Sequence, residues 1–368
     1  MKHILATLAL AAGISGTASA QIIVGQTASF TGPVAAGVKE AAEGAKLYID
    51  SVNARGGVNG QTVELLSVDD KFDPKLTVEN ARMLIVEKKV VALFLVRGTP
   101  QSIALMPLLA EFHVPLIAPS TGAMALHDPV NPYIFNVRAS YQVEAERAIK
   151  HLSLVGLDKI AVLQADDSFG ADVVIGAEAG FKAVNKKPVV QEKFSRVKPD
   201  FGPVAAKVAK SEAQAVLFIG SGTMVADGAK AIRAAGSRAQ IVTLSNNASG
   251  GFIKDMGDNA RGTIVSQVFP YERSISSPLV KEIQESAKAK NIGDISPALI
   301  EGYAAAKVLV EGLRRAGANP TREKLIAALN GLRKFDIGGM EVSYSPTNHT
   351  GLNFVDLSII GPDGKFRR

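Results

Sequence analysis

The stretch that most constrains the fold is Val90 to Gly122, VVALFLVRGTPQSIALMPLLAEFHVPLIAPSTG. Val90 to Val96 is a wholly apolar run rich in β-branched residues, the pattern of a strand buried on both faces. Arg97 and Gly98 interrupt it. Thr99 can cap a helix, and Pro100 suits the first helical position, where its missing N–H would be unpaired anyway. Ile103, Leu105, Met106, Leu108, Leu109 and Phe112 give that helix a broad apolar face. His113 closes it, and Val114 to Ala118 makes a second apolar strand ahead of the polar loop Pro119-Ser120-Thr121-Gly122. Parallel strands joined by a right-handed crossover bring both loops to the carboxyl ends of their strands, the edge where open α/β sheets hold ligands. Arg97, Gly98, Thr99, Ser120, Thr121 and Gly122 then sit side by side, offering hydroxyls, backbone N–H groups, a fixed positive charge and an anion-favouring helix terminus. Each alone is an ordinary turn or cap residue. The two loops together predict a small-anion site.

The same alternation runs through the chain. Strands are expected at Ile22 to Gly25, Val63 to Val68, Tyr133 to Val137, Ile160 to Gln164, Val189 to Phe194, Ala215 to Gly220, Ile241 to Leu244 and Ile264 to Val268, with helical spacing between most of them. Asp73-Pro74, Ser296-Pro297 and Thr321 mark helix starts. Strands alternating with helices mean parallel sheets covered on both faces. There are too many strands for one doubly wound sheet, and the series restarts near Tyr141, which predicts two α/β lobes within 368 residues.

Bulk properties exclude several classes. The net charge of +6 is scattered, with no basic stripe interleaved with aromatics, so nucleic acid is not an expected partner. Lys2-His3, an apolar run from Ile4 to Ile14 and Ala18-Ser19-Ala20 read as an export signal over residues 1–20, cleaved before Gln21. No later run is long enough to span a membrane. With no cysteine there is neither a lipid anchor at the cleavage site nor a disulfide. The expected location is the periplasm. The five histidines show no metal-ligand spacing. No nucleophile elbow appears, and Gly220-Ser221-Gly222 lacks the lysine and spacing of a phosphate loop. Asp69-Asp70 and Asp166-Asp167 read as turn and cap groups, since adjacent strand residues face opposite ways. Phe169, at a strand's carboxyl end before Gly170, is either core or cleft lining.

Taken in order, Gly32-Pro33-Val34, the turn Asn53-Ala54-Arg55-Gly56-Gly57-Val58-Asn59-Gly60, Asp69-Asp70 with Asp73-Pro74, Val114-Pro115-Leu116-Ile117-Ala118-Pro119, Asp167-Ser168-Phe169-Gly170 and Gly302-Tyr303-Ala304-Ala305 give the chain its resemblance. It resembles the periplasmic leucine/isoleucine/valine-binding protein family, the solute-binding components of branched-chain amino-acid ABC importers, over essentially all of residues 21–368. The resemblance implies a type I periplasmic-binding fold: two doubly wound parallel-sheet lobes joined by three crossing segments, near Arg138 to Gln142, Ser266 to Pro270 and Ser343 to Thr350. Residues 21–140 with 268–343 would form one lobe, and 141–267 with 344–368 the other. It further implies a monomeric solute receptor, not an enzyme and without a cofactor, that docks on a permease and ATPase complex. A sensor reporting to a membrane receptor, and an exported enzyme, are the alternatives.

Carried over residue by residue, the resemblance places ligand contacts at Ser120, Thr121 and Gly122, at Phe169 where a tyrosine is common, and at Tyr141 and Ser221 in the hinge and second lobe. It also shows departures. Arg97 stands where the family has serine, Asn246 where it has an acid for the ligand's ammonium, Gly37 where a tyrosine covers the ligand, and Phe72 and Val96 where a disulfide is typical. A buried ammonium needs an anion, which Asn246 cannot supply, whereas Arg97 can grip a carboxylate with two parallel hydrogen bonds. The expected ligand is therefore a small carboxylate, aromatic or aliphatic, without a required α-amino group. The competing role for Arg97 is a structural ion pair with a nearby Asp or Glu.

Overall fold

The apolar run at Val90 forms a strand, but a shorter one than its length predicts. In a computed structural model describing residues 21–368, β3 covers only Ala92–Phe94, because Leu95 turns to a left-handed φ of 53°. The same happens after β4 (Leu116–Ile117) at Ala118, φ 50°. The loops stay zipped together past these breaks: the Ser120 N–H donates to the Val96 carbonyl at 2.8 Å, and Arg97 and Ser120 pair as an isolated parallel bridge. The export signal expected at 1–20 lies outside the described residues.

The first lobe carries a five-stranded sheet in the order β2-β1-β3-β4-β5. It adds β1 (Ile22–Ala28), β2 (Val63–Asp69) and β5 (Ile134–Phe135) to the two strands above, all parallel. Helices α1 (Ala35–Ala54), α2 (Pro74–Val86) and α3 (Thr99–Phe112) make the crossovers. Asp73 caps α2 by accepting from the Lys75 N–H at 2.8 Å. The second lobe opens with α4 (Tyr141–Leu154), β6 (Ile160–Ala165), α5 (Ser168–Ala183), β7 (Val190–Phe194) and α6 (Gly202–Lys210). It continues with β8 (Ala215–Ile219), α7 (Thr223–Ala234), β9 (Gln240–Thr243), α8 (Gly250–Met256) and β10 (Ile264–Gln267). Two late antiparallel strands, β13 (Asp356–Ile360) and β14 (Phe366–Arg367), complete a seven-stranded sheet, β14-β13-β10-β9-β8-β6-β7. Between β10 and β13 the chain returns to the first lobe as α9 (Pro278–Ala289), α10 (Pro297–Ala316), α11 (Arg322–Asn330) and the hairpin β11 (Phe335–Asp336) and β12 (Glu341–Val342). Helix α8 and the hairpin's first strand are elements the sequence pattern did not predict. They are too short to show a period.

Each sheet reverses its winding order once, between β1 and β3 and between β6 and β8. The loops beside these two points carry Arg97 in one lobe and Phe169 and Ser221 in the other, where the general rule for open α/β sheets puts ligands. The third crossing falls later than Ser343 to Thr350. His349 stacks on Phe135 at 4.1 Å between ring centroids, and the Leu352 N–H donates to the Val137 carbonyl at 2.9 Å, so the chain stays with the first sheet through Leu352. Only at Asp356, opposite Gln267, does it join the second.

Helices α1 and α10 touch backbone to backbone. A Cβ on Gly302 would lie 1.7 Å from the Ala41 carbonyl oxygen, and one on Gly44 would lie 2.0 Å from that of Leu299. This gives Gly302-Tyr303-Ala304-Ala305 a packing reason, since any side chain at 302 forces the helices apart. Gly302→Ala is expected to destabilise the protein by about 1–3 kcal/mol, read as a lower urea midpoint at unchanged slope.

Just after the second crossing, burial pushes the Glu272 carboxyl up to about 7, with Asp294 adding to the shift and Arg273 and Arg368 opposing it. Between about pH 4.5 and pH 7 the folded chain keeps a proton that the unfolded chain has lost, so stability falls across that window as pH rises. Urea unfolding at pH 5 and pH 8 should show native protein losing roughly 1–3 kcal/mol more than Glu272→Gln. An equal loss in both would remove this role.

Candidate functional site

The two lobes meet over the strand-end loops, and the contacts between them are mostly main-chain or charge-assisted. The Thr223 N–H at the start of α7 donates to the Pro33 carbonyl at 3.1 Å. Gly222, at φ 55°, is needed there, because a Cβ would sit 1.7 Å from that same oxygen. Glu40 on α1 accepts from the Gly250 and Gly251 N–H groups at 3.0 and 2.8 Å, and Asp172 on α5 accepts from the Met124 N–H at 3.1 Å. The cleft is closed. The cavity between Pro33, Gly37, Arg97, Gly222, Asn246 and Ser249 measures about 10 Å³, room for about one water. A Cβ on Gly37 would lie 3.7 Å from Ser249 Oγ, so the second lobe stands in contact with the position where the resemblance puts a covering tyrosine. A groove of about 760 Å³ lies elsewhere, beside α1 and β2, and none of the candidate residues lines it.

Arg97 spans the closure plane. Its side chain is buried, donating to Ser120 Oγ at 3.1 Å within its own lobe and to the Asn246 carbonyl at 2.5 Å in the other. Both partners are neutral, and it forms no ion pair with any described residue. The structural pairing considered for Arg97 is thus not what holds it. Asn246 is fixed by donating to the Gly220 carbonyl at 3.0 Å and to Ser221 Oγ at 3.1 Å. Asn247 ties the same loop by accepting from the Gly222 N–H at 2.7 Å.

The other candidates divide. Thr99 and Thr121 are buried and share a 2.7 Å hydroxyl–hydroxyl bond. Thr99 does not cap α3; Gly98, at φ 103°, holds that position and has no side chain to cap with. Gly122 packs against the first crossing, where a Cβ would lie 2.6 Å from the Ala139 carbonyl oxygen, and its own carbonyl accepts from the Tyr141 N–H at 2.7 Å. Tyr141 and Phe169 meet edge to face at 5.0 Å. Burial raises the Tyr141 pKa, while Arg138 and Arg97 pull it down. The Tyr141 ring, 2 % exposed, therefore lies within the field of both guanidinium groups.

Three residues that the sequence reading passed over belong here. Arg138, fully buried, pairs with Glu144 and lies 3.8 Å from Glu301. Glu301 accepts from Ser120 Oγ at 2.9 Å, so one hydroxyl stands between it and Arg97. Arg196 pairs with Asp167, which also caps α5 by accepting from the Phe169 and Gly170 N–H groups. A signal existed for two of them: Glu301 is an acid inside an apolar helical face, and Arg196 follows an expected strand just as Arg97 does.

Buried polar atoms normally find partners. Here Asn246 Oδ1, Arg196 Nη1 and Asp172 Oδ2 have no hydrogen-bond partner, and all three belong to residues at the lobe junction. The arrangement suits binding of a small polar molecule. Among the described residues there is no group of His, Asp and Glu able to hold a metal ion, and no helix long and apolar enough to cross a membrane.

A family model described as periplasmic binding protein matches residues 21–357. The Leu/Ile/Val-binding protein homolog 3 of Brucella melitensis is 26% identical over 358 residues, 94% of this chain and 93% of that one. A substrate-binding periplasmic protein from Ralstonia solanacearum superposes with a TM-score of 0.87 at 33% identity, covering 94% of this chain and 99% of that one. An extracellular ligand-binding receptor from Verminephrobacter eiseniae does so with a TM-score of 0.86 at 28% identity, covering 95% and 100%. With two parallel-sheet lobes, three crossings and a polar cleft between them, the chain belongs to the periplasmic binding protein family.

Proposed function

We propose that this protein is the solute-binding component of an ABC importer, working in the periplasm without catalysis. It closes its lobes on a small carboxylate and presents the closed form to a membrane permease. The observation that carries this reading is Arg97: a buried guanidinium at the lobe boundary whose hydrogen-bond partners are the neutral Ser120 hydroxyl and Asn246 carbonyl. A carboxylate entering the opened cleft offers that group two charge-assisted bonds in place of one neutral interlobe contact. A ligand touching both lobes shifts the open–closed balance by its preference for the closed form. The name of the Brucella relative supports the class of ligand, because leucine, isoleucine and valine all carry a carboxylate.

That relative also favours a second reading, capture of a branched-chain amino acid, and one observation speaks for it. Glu301, absent from the sequence-level argument against a bound ammonium, lies one hydroxyl away from Arg97 and is a counter-charge the zwitterion needs. The two readings part on simple acids, tested by following thermal unfolding with benzoate, butyrate and leucine. A saturating ligand at about 100 Kd adds roughly 2.7 kcal/mol, a rise in Tm of roughly 3–5 °C for a chain of this length. Benzoate or butyrate should produce that rise in native protein, and Arg97→Met should weaken acid binding roughly 30-fold or more. A rise with leucine alone, abolished by Glu301→Gln, would give the amino-acid reading the site.

A further inference from the structure

Arg97 has a counterpart across the cleft. Arg196 leaves the carboxyl end of β7, and its side chain is 13 % exposed. Its guanidinium carbon lies 4.8 Å from the ring centre of Phe72 in the first lobe and 5.6 Å from that of Phe169 in the second. The Phe72 ring in turn comes within 3.2 Å of where a Cβ on Gly98 would stand. The Phe72 ring thus stands between Gly98, the neighbour of Arg97, and Arg196. Phe72 is held there by Asp70, which accepts from its N–H at 3.0 Å and from Ser29 Oγ at 2.7 Å. The two arginines are close enough that Arg97 helps burial push the Arg196 pKa down, against the pull of Asp167.

Their charges are matched differently. Arg196 already has the Asp167 carboxylate, whereas Arg97 has no ion pair. Yet Arg196 Nη1 is a buried donor with no acceptor. A buried donor whose charge is already balanced is best met by a neutral oxygen, since a second anion would face Asp167 as well. We infer that Arg196 is a specificity-determining residue that donates to a neutral oxygen at the far end of the ligand, with Phe72, Phe169 and Tyr141 lining the space between. The ligand class is then a flat carboxylic acid bearing a hydroxyl or carbonyl opposite its carboxylate. This rests on the reading of Arg97 as the carboxylate anchor.

Titration calorimetry with benzoate, 4-hydroxybenzoate and terephthalate tests it on the full protein, native and with Arg196→Met or Arg196→Lys. Native protein should bind 4-hydroxybenzoate about tenfold more tightly than benzoate, and terephthalate no more tightly than benzoate. Arg196→Met should bring 4-hydroxybenzoate to within about twofold of benzoate, the ratio of the two acids being the readout. Arg196→Lys keeps a charge for Asp167 and the rings but not the forked donor, so it should lose most of the preference and guards against a folding defect in the methionine variant. Equal binding of the two acids by native protein overturns the inference, as does tightest binding of terephthalate. So does a variant that weakens both acids alike, which would make Arg196 a closure contact only. If none of the three acids binds, the Arg97 reading fails and this inference falls with it.

Discussion

Burying the Arg138 guanidinium sets the terms for the rest of the molecule. A desolvated cation costs several kcal/mol unless a carboxylate and further hydrogen bonds surround it. Glu144 answers from the first turn of α4, and it also accepts from the Ser245 N–H at 3.0 Å and from the Ser266 hydroxyl. Arg138 belongs to the first crossing and Ser266 to the strand that feeds the second, so one charge pair ties two of the three connections between lobes. Helix α4, capped by the Ser140 hydroxyl, begins beside this pair, and the face of the Tyr141 ring lies 4.7 Å from the Arg138 guanidinium carbon.

Around that pair the cleft sorts its cations by how they are matched. Arg138 and Arg196 have carboxylates in contact; Arg97 reaches one only through the Ser120 hydroxyl. Arg97 and Arg138 together face two carboxylates, Glu144 and Glu301, so the cluster is balanced while Arg97 alone lacks a carboxylate in direct contact. Ser120, which as a turn residue carried little information, links Arg97 to Glu301.

Much of this was legible in the chain. Period-two and period-3.6 patterns separated strands from helices, and the restart near Tyr141 placed the lobe change where α4 begins. What periodicity could not show was how strands end. Leu95 and Ala118 are apolar and continue the strand pattern, yet both turn left-handed, and that turn decides where Arg97 and Ser120 point. Thr99 looked like a cap because threonine caps helices; its hydroxyl instead bonds Thr121, a partner 22 residues away. Glu301 and Arg196 stand out locally, as an acid on an apolar helical face and an arginine just past a strand, but their partners lie 181 residues away in one case and across the lobe boundary in the other, which no local pattern shows.

Gly222 pressed against Pro33 has a bearing on how tightly the lobes can shut. The approach there is main chain on main chain, with a Thr223 N–H aimed at the Pro33 carbonyl, and peptide groups cannot repack as side chains do. Any closer approach of the lobes at this point would therefore have to move the main chain of one lobe or the other, so the contact sets a floor on their separation.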